Sequence, residues 1–409
     1  MYNSIFFIIL GIVLLSFLFE KVLDYLNLKH ILPVLPNELV DVFDPESYKK
    51  SQHYKSVNTR FSLITSTFSL ILTLFMLVLG GFGWVNNLAF SFSTNYILTA
   101  LIFFGLLMFA SDILTTPFSI YETFVIEEKF GFNKTSSKTF VLDKLKGWLL
   151  GAILGGGILA LIIWFYQLSG KYFWLFAWVA VAIFTVLMTM FYSQLIVPLF
   201  NKQTLLEEGE LKSEIQKMSA KTGFNLDNVY VIDGSKRSTK ANAYFTGLGS
   251  KKRIVLYDTL INDLSIEEII AVLAHEIGHY KKKHSLKGTI IGLLQTGFML
   301  FLFSLLVNNP SLSTALNVSE PNFHISLIAF GILYSPISLL TGTFSSILSR
   351  KHEYEADDYA AKNADYKALI TALKKLSGKN LSNLTPHPIY VFFHYSHPTL
   401  LQRIKNLNR

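Results

Sequence analysis

The amino-acid sequence predicts a mainly α-helical protein that crosses a membrane several times and carries a small α+β region outside it. Three observations lead there. Of 409 residues, 51% are hydrophobic and only 16% charged, where an ordinary soluble domain has about 25% charged residues. The apolar residues gather in seven runs, at about 4–19, 62–84, 96–116, 148–168, 173–199, 286–307 and 324–349, each near the roughly 20 residues that span a bilayer. Finally, the segments joining these runs alternate between rich and poor in lysine and arginine.

The first run, "SIFFIILGIVLLSFLF", reads as a span rather than a signal peptide. "MYN" before it has no lysine or arginine, and no small-residue cleavage site follows. Segments 85–95 and 308–323 contain no Lys or Arg and 169–172 only Lys171, whereas 20–61 holds six, 117–147 five, 200–285 thirteen and the tail from Arg350 ten. The positive-inside rule then expects the N-terminus outside and the C-terminus in the cytoplasm, with hydrophilic regions 200–285 and 350–409 facing the cytoplasm. Gly155, Gly156 and Gly157 interrupt the fourth run, and close helix packing is the expected reason. There is no cysteine, which excludes disulfides and thiolates and leaves histidine and carboxylate as metal ligands. The net charge of +8 follows from cytoplasmic loops, and no pattern calls for a nucleic-acid partner. Absent cysteine and short loops favour a bacterial inner membrane over the endoplasmic reticulum.

Chemistry enters at "SIEEIIAVLAHEIGHYKKKH", residues 265–284. Ser265 with Glu268 three residues on is a capping box, and Ile266, Ile269, Ile270, Leu273 and Ile277 form an apolar helical stripe. On a helix His275 and His279 share a face one turn apart, so both rings reach one ion. Glu276 lies one step round, toward a water rather than the ion. His-Glu-x-x-His therefore suits a hydrolytic zinc site: two neutral nitrogen ligands, an open position and a base beside it. His284 falls roughly 140° round from His279 and cannot share the ion unless the helix unwinds. With Lys281, Lys282 and Lys283 it reads as the cationic end of a helix that runs on into the sixth span. A third ligand is needed, and "RKHEYEADDYAAK" offers Glu353 and Asp357 on one helical face with Glu355 between. One would bind metal while the other holds a histidine from behind.

These residues resemble a known family: the type I CAAX prenyl proteases, integral-membrane zinc metalloproteases of peptidase class M48. "HEIGH" and "EYEAD" match its paired metal motifs. "VIDGSKRSTKANAYFTGLGSKKRIVLYDTLI", "FVIEEKFGFNKTS" and "FFHYSHPTLLQRI" match as well, so the resemblance covers nearly the whole chain. It implies seven transmembrane helices around an intramembrane chamber, with a small zincin-like α+β catalytic region. It implies one zinc per chain held by His275, His279 and Glu353, with Glu276 as general base and Asp357 orienting a ligand histidine. His397 would help stabilise the oxyanion. Asn242, Ala243 and Tyr244 would pair with the substrate backbone, and Arg403 would position substrate or site. His387 and His394 read as ordinary polar neighbours. Members of the family tend to carry His-Ser before Asn-Ala-Tyr, where this chain has Lys240 and Ala241; substrate-edge contacts are in question there, not ligands.

The expected organisation is a five-span membrane region over 1–199, a catalytic region with the substrate strand and His-Glu-x-x-His helix over 200–285, two further spans over 286–349, and a C-terminal region with the third ligand over 350–409. The implied activity is zinc-dependent hydrolysis near the C-terminus of prenylated proteins or peptides, in contact with membrane lipids. The alternative is a membrane quality-control protease acting on misfolded or non-prenylated proteins. A non-enzymatic transporter or metal store would have lost the base or a ligand, and none is lost here.

Overall fold

The computed structural model describes residues 2–32, 35–224, 229–246 and 253–409. Positions 247–252 of the segment resembling the family therefore lie outside the described residues. Six continuous helical runs among the described residues are long and apolar enough to cross a membrane: Ser4–Lys29, Pro45–Val78, Tyr96–Phe130, Ser137–Phe200, His284–Leu306 and Phe323–Asn363. The seven apolar runs of sequence occupy six helical runs because the fourth and fifth share one. That run turns at Gly170, whose φ of 53° lies in the left-handed region, a conformation glycine adopts without a Cβ clash. Gly156–Ser169 and Phe173–Leu195 then pack side by side.

Large apolar side chains stay exposed on these helices, Leu15, Ile71, Met108, Leu168, Leu294 and Leu340 among them. Lipid tolerates such a surface and water does not. Close packing is not the reason for the glycines of the fourth run. A Cβ at Gly155 or Gly157 would meet nothing within 4 Å, and one at Gly156 only Leu101 at 3.8 Å. A π-helical turn over Gly151–Gly155 occupies this stretch instead.

The hydrophilic region contains a four-stranded sheet of order β1-β2-β4-β3, with β1 Gln203–Leu205, β2 Val229–Ile232, β3 Ala243–Thr246 and β4 Arg253–Tyr257. β2 and β4 are parallel, and β1 and β3 run antiparallel to their neighbours. β3 thus forms an edge. Ile254 and Leu256 of β4 pack with Leu260, Ile269, Leu273 and Ile277 into the core beneath it, each such side chain stabilising by roughly 1.5–3 kcal/mol. The "FVIEEKFGFNKTS" loop docks on the approach to β3: Lys134 N donates to Arg237 O at 3.0 Å and Thr239 N to Phe132 O at 3.1 Å. Arg237 also forks onto Asp143 at 2.8 and 2.9 Å.

The helix Ile266–Lys281 begins at the expected capping box. Ser265 N donates to Glu268 Oε2 at 2.8 Å, and Glu268 N donates to Ser265 Oγ at 3.3 Å, an arrangement that contributes about 1 kcal/mol. Its far end corrects the sequence reading. The helix does not run on into the sixth span; Lys283 adopts φ 58° and a separate helix, His284–Leu306, starts after it. Neither glycine nor proline marks this break.

Candidate metal centre

Helix Ile266–Lys281 packs against the C-terminal part of the helix Phe323–Asn363, and Gly278 sets how closely. A Cβ there would come within 3.1 Å of Ala356 backbone and of Tyr359 Cβ. The glycine between the two histidines therefore lets the helices close and brings Glu353 over both rings.

Three side chains converge as a result. His275 Nε2 lies 3.1 Å from His279 Nε2, His279 Nε2 is 3.1 Å from Glu353 Oε1, and His275 Nε2 is 3.5 Å from Glu353 Oε2. Bonds of about 2.05 Å to a tetrahedral zinc require ligand atoms about 3.3 Å apart. The donors themselves call for a cation. Two imidazole nitrogens and a carboxylate oxygen face one point, and the buried Glu353 Oε2 makes no hydrogen bond of sound geometry. Among the described residues this is the one cluster of three such side chains able to hold a metal ion. Glu276 is half-buried and opens into the same cavity.

Each histidine is held from behind by a different device. His275 Nδ1 is 2.8 Å from Asp357 Oδ1, and Asp357, wholly buried, accepts a fork from Arg403 Nε and Nη2 at 2.9 and 2.5 Å. Burial and the nearby Arg403 charge push the His275 pKa down, but hydrogen bonds to Asp357 and Glu353 outweigh them and lift it to about 8. Arg403 also lines the cavity, and its remaining nitrogen, Nη1, lies 3.6 Å from Glu353 Oε2. Behind His279 stands His284, the residue read from sequence as a bystander. Its Nδ1 is 3.0 Å from His279 Nδ1, and its Nε2 is 3.1 Å from Glu355 Oε2. Its ring stacks on His352 with centroids 4.0 Å apart. The break at Lys283 folds His284 back; in a straight helix it would point away. His284 is still no ligand, because its reach is to the far nitrogen of His279.

His397 sits at the mouth, exposed, with Nε2 3.4 Å from Glu353 Oε1 and Nδ1 3.0 Å from Ser396 Oγ. His387 instead caps the helix Pro388–His394, and His394 pairs with Glu20 at 3.2 Å. The opposite wall is the approach to β3. Ala241, Asn242, Ala243 and Tyr244 line the cavity, which holds about 650 Å³ and continues past Gly288, Gly292 and Gln295 between the last two long helices. Lys240 turns out of it, donating to Glu127 at 2.8 Å and to Tyr54 at 3.0 Å. Of the two departures from the family, only the buried Ala241 faces the site.

Residues 24–202 match the family described as CAAX prenyl protease N-terminal, five membrane helices, and residues 205–409 match peptidase family M48. The chain is 36% identical to the CAAX prenyl protease 1 of Saccharomyces cerevisiae over 98% of its length and 94% of the relative's. It is 32% identical to the human CAAX prenyl protease 1 homolog, covering 91% and 88%. The crystal structure of S. mikatae Ste24p superposes with a TM-score of 0.94 at 36% identity, covering 99% of both chains. The metal helix, the edge strand and the membrane helices are thus those of a shared architecture, and the chain belongs to peptidase family M48.

Proposed function

We propose that this protein is a zinc-dependent membrane endopeptidase that cleaves near the C-terminus of prenylated CAAX-type proteins or peptides. The observation that carries the reading is one cavity containing three converging ligand atoms, Glu276 and an open sheet edge. The prenylated substrate class comes from the relatives' names.

His275, His279 and Glu353 would hold one zinc per chain, which supplies Lewis acidity to a water and to the scissile carbonyl. Glu276 takes a proton from the attacking water and delivers it to the departing amine as the peptide C–N bond breaks. Asn242, Ala243 and Tyr244 align the substrate as an added strand on β3. His397, on the open side of Glu353, donates to the oxygen that gains charge. Asp357 and Arg403 fix the His275 ring so that Nε2 faces the cluster.

The lysine and arginine distribution supports an N-terminus outside and a catalytic region in the cytoplasm. Sparse burial supports seven helices ringing a chamber rather than a solid bundle: in the first span only Phe6, Ile9, Leu23 and Asn27 are buried. Such a chamber brings water to a site enclosed by apolar helices. The test compares cleavage of a farnesylated and a non-farnesylated C-terminal peptide by purified protein and by its Glu276→Gln variant. The farnesylated peptide is cut faster, and the variant cuts neither. Equal cleavage of both peptides removes the prenyl specificity and leaves a general membrane protease.

A further inference from the structure

A second cavity, of about 300 Å³, lies between the helices His284–Leu306 and Phe323–Asn363, lined by Lys287, Ile290, Leu348, Lys351, His352 and Glu355. It adjoins the catalytic cavity at Ile291, Leu348 and His352, which line both, while Lys287, Ile290, Lys351 and Glu355 line this cleft alone. Ser285, Gly288, Gly292 and Gln295 of one helix, with Ser345 and Ser349 of the other, face the catalytic cavity. Lys287, Ile290 and Leu294 recur at three- and four-residue spacing on a separate face, as do Leu340, Phe344, Ile347 and Lys351, and these positions are exposed. Each stripe is apolar along the membrane helix and ends in a lysine where Ile266–Lys281 joins.

The two ammonium groups are uncommitted: neither Lys287 nor Lys351 has a hydrogen-bond or ion-pair partner among the described residues. The only carboxylate in the cavity, Glu355, is engaged by His284 at 3.1 Å. Two free cations above two apolar stripes match one ligand in charge and shape, a phosphate headgroup carrying acyl chains. We infer that this cleft binds the headgroup of an anionic phospholipid, with Lys287 and Lys351 on the phosphate and the acyl chains along Ile290, Leu294, Phe344 and Ile347. Its floor, His352, stacks on His284, so the bound lipid lies two rings from His279.

The experiment measures lipid binding to the full-length protein by native mass spectrometry and by thermal shift. The probes are phosphatidylglycerol, phosphatidylcholine with the same acyl chains, and inorganic phosphate. Phosphatidylglycerol binds and raises the melting temperature, more weakly at high salt. The Lys287→Ser/Lys351→Ser double variant loses roughly 30-fold in affinity, about fivefold per lysine. Lys282→Ser, which removes a nearby lysine outside the cavity, keeps the binding. Equal binding of phosphatidylcholine, full stabilisation by phosphate alone, or undiminished binding by the Lys287/Lys351 variant would each overturn the assignment.

Discussion

The two histidines of the cluster are supported from behind by unlike materials. The flank of His275 is ionic and sealed, with Asp357 wholly buried and Arg403 forked onto it. The flank of His279 is a pair of stacked rings, His284 on His352, beside a helix break and a partly exposed Glu355. A buried ion pair is costly to break because the surviving charge is left without a partner. A ring stack near the surface can lose a member and admit water. One flank is therefore part of what keeps the region folded, while the other tunes a ligand.

Substitutions can separate these roles. The largest effect belongs to neither flank: Glu276→Gln lowers kcat by about 10²–10⁴-fold while zinc content, read by elemental analysis, stays unchanged. Asp357→Ala comes next. It strands Arg403 and destabilises the protein by about 3–5 kcal/mol, measured by thermal unfolding, and it weakens zinc binding by about 100-fold in a chelator titration. His284→Ala weakens zinc binding only about tenfold, with little change in melting temperature. Equal destabilisation by these two variants would erase the distinction between the flanks.

Acidity probes the ionic flank. The His275 pKa is raised from its ordinary value to about 8 in the metal-free protein. The stabilisation from its protonated ring is fully present below about 6.5 and fades as pH rises through 8. Metal requires the neutral ring, so zinc affinity falls as pH drops below 8, by up to about tenfold per unit for one competing proton. Zinc retention against a chelator between pH 6 and 9 checks the sign. A flat profile would mean that the Asp357 and Glu353 contacts do not hold the proton.

Much of this was legible in the residues. The apolar runs are long enough to need a membrane, and His275, Glu276 and His279 declare a metal site because the helical period stacks them. Glu353 and Asp357 were readable as a pair for the same reason. The division of labour between them came from family resemblance. What stayed hidden depends on chain reversal or distant contact. Lys283 takes a left-handed conformation inside a run of lysines with no glycine to announce it, so His284 looked out of reach. Arg403 was expected to serve substrate or site, and only the tertiary fold shows it forked onto Asp357. The fourth and fifth apolar runs were separable by composition, yet Gly170 turns the chain without ending the helical run. Gly278 occupied a motif position, but its packing role needed the second helix to be in place.

The order of these parts along the chain has a consequence for synthesis. The histidine helix is made first, then two long apolar helices, and only then Glu353, Asp357 and finally Arg403 in helix Leu400–Leu407. A ribosome-bound chain that has just released its histidines has neither third ligand nor support for His275. The ligand set is therefore incomplete until the last two long apolar helices have been made.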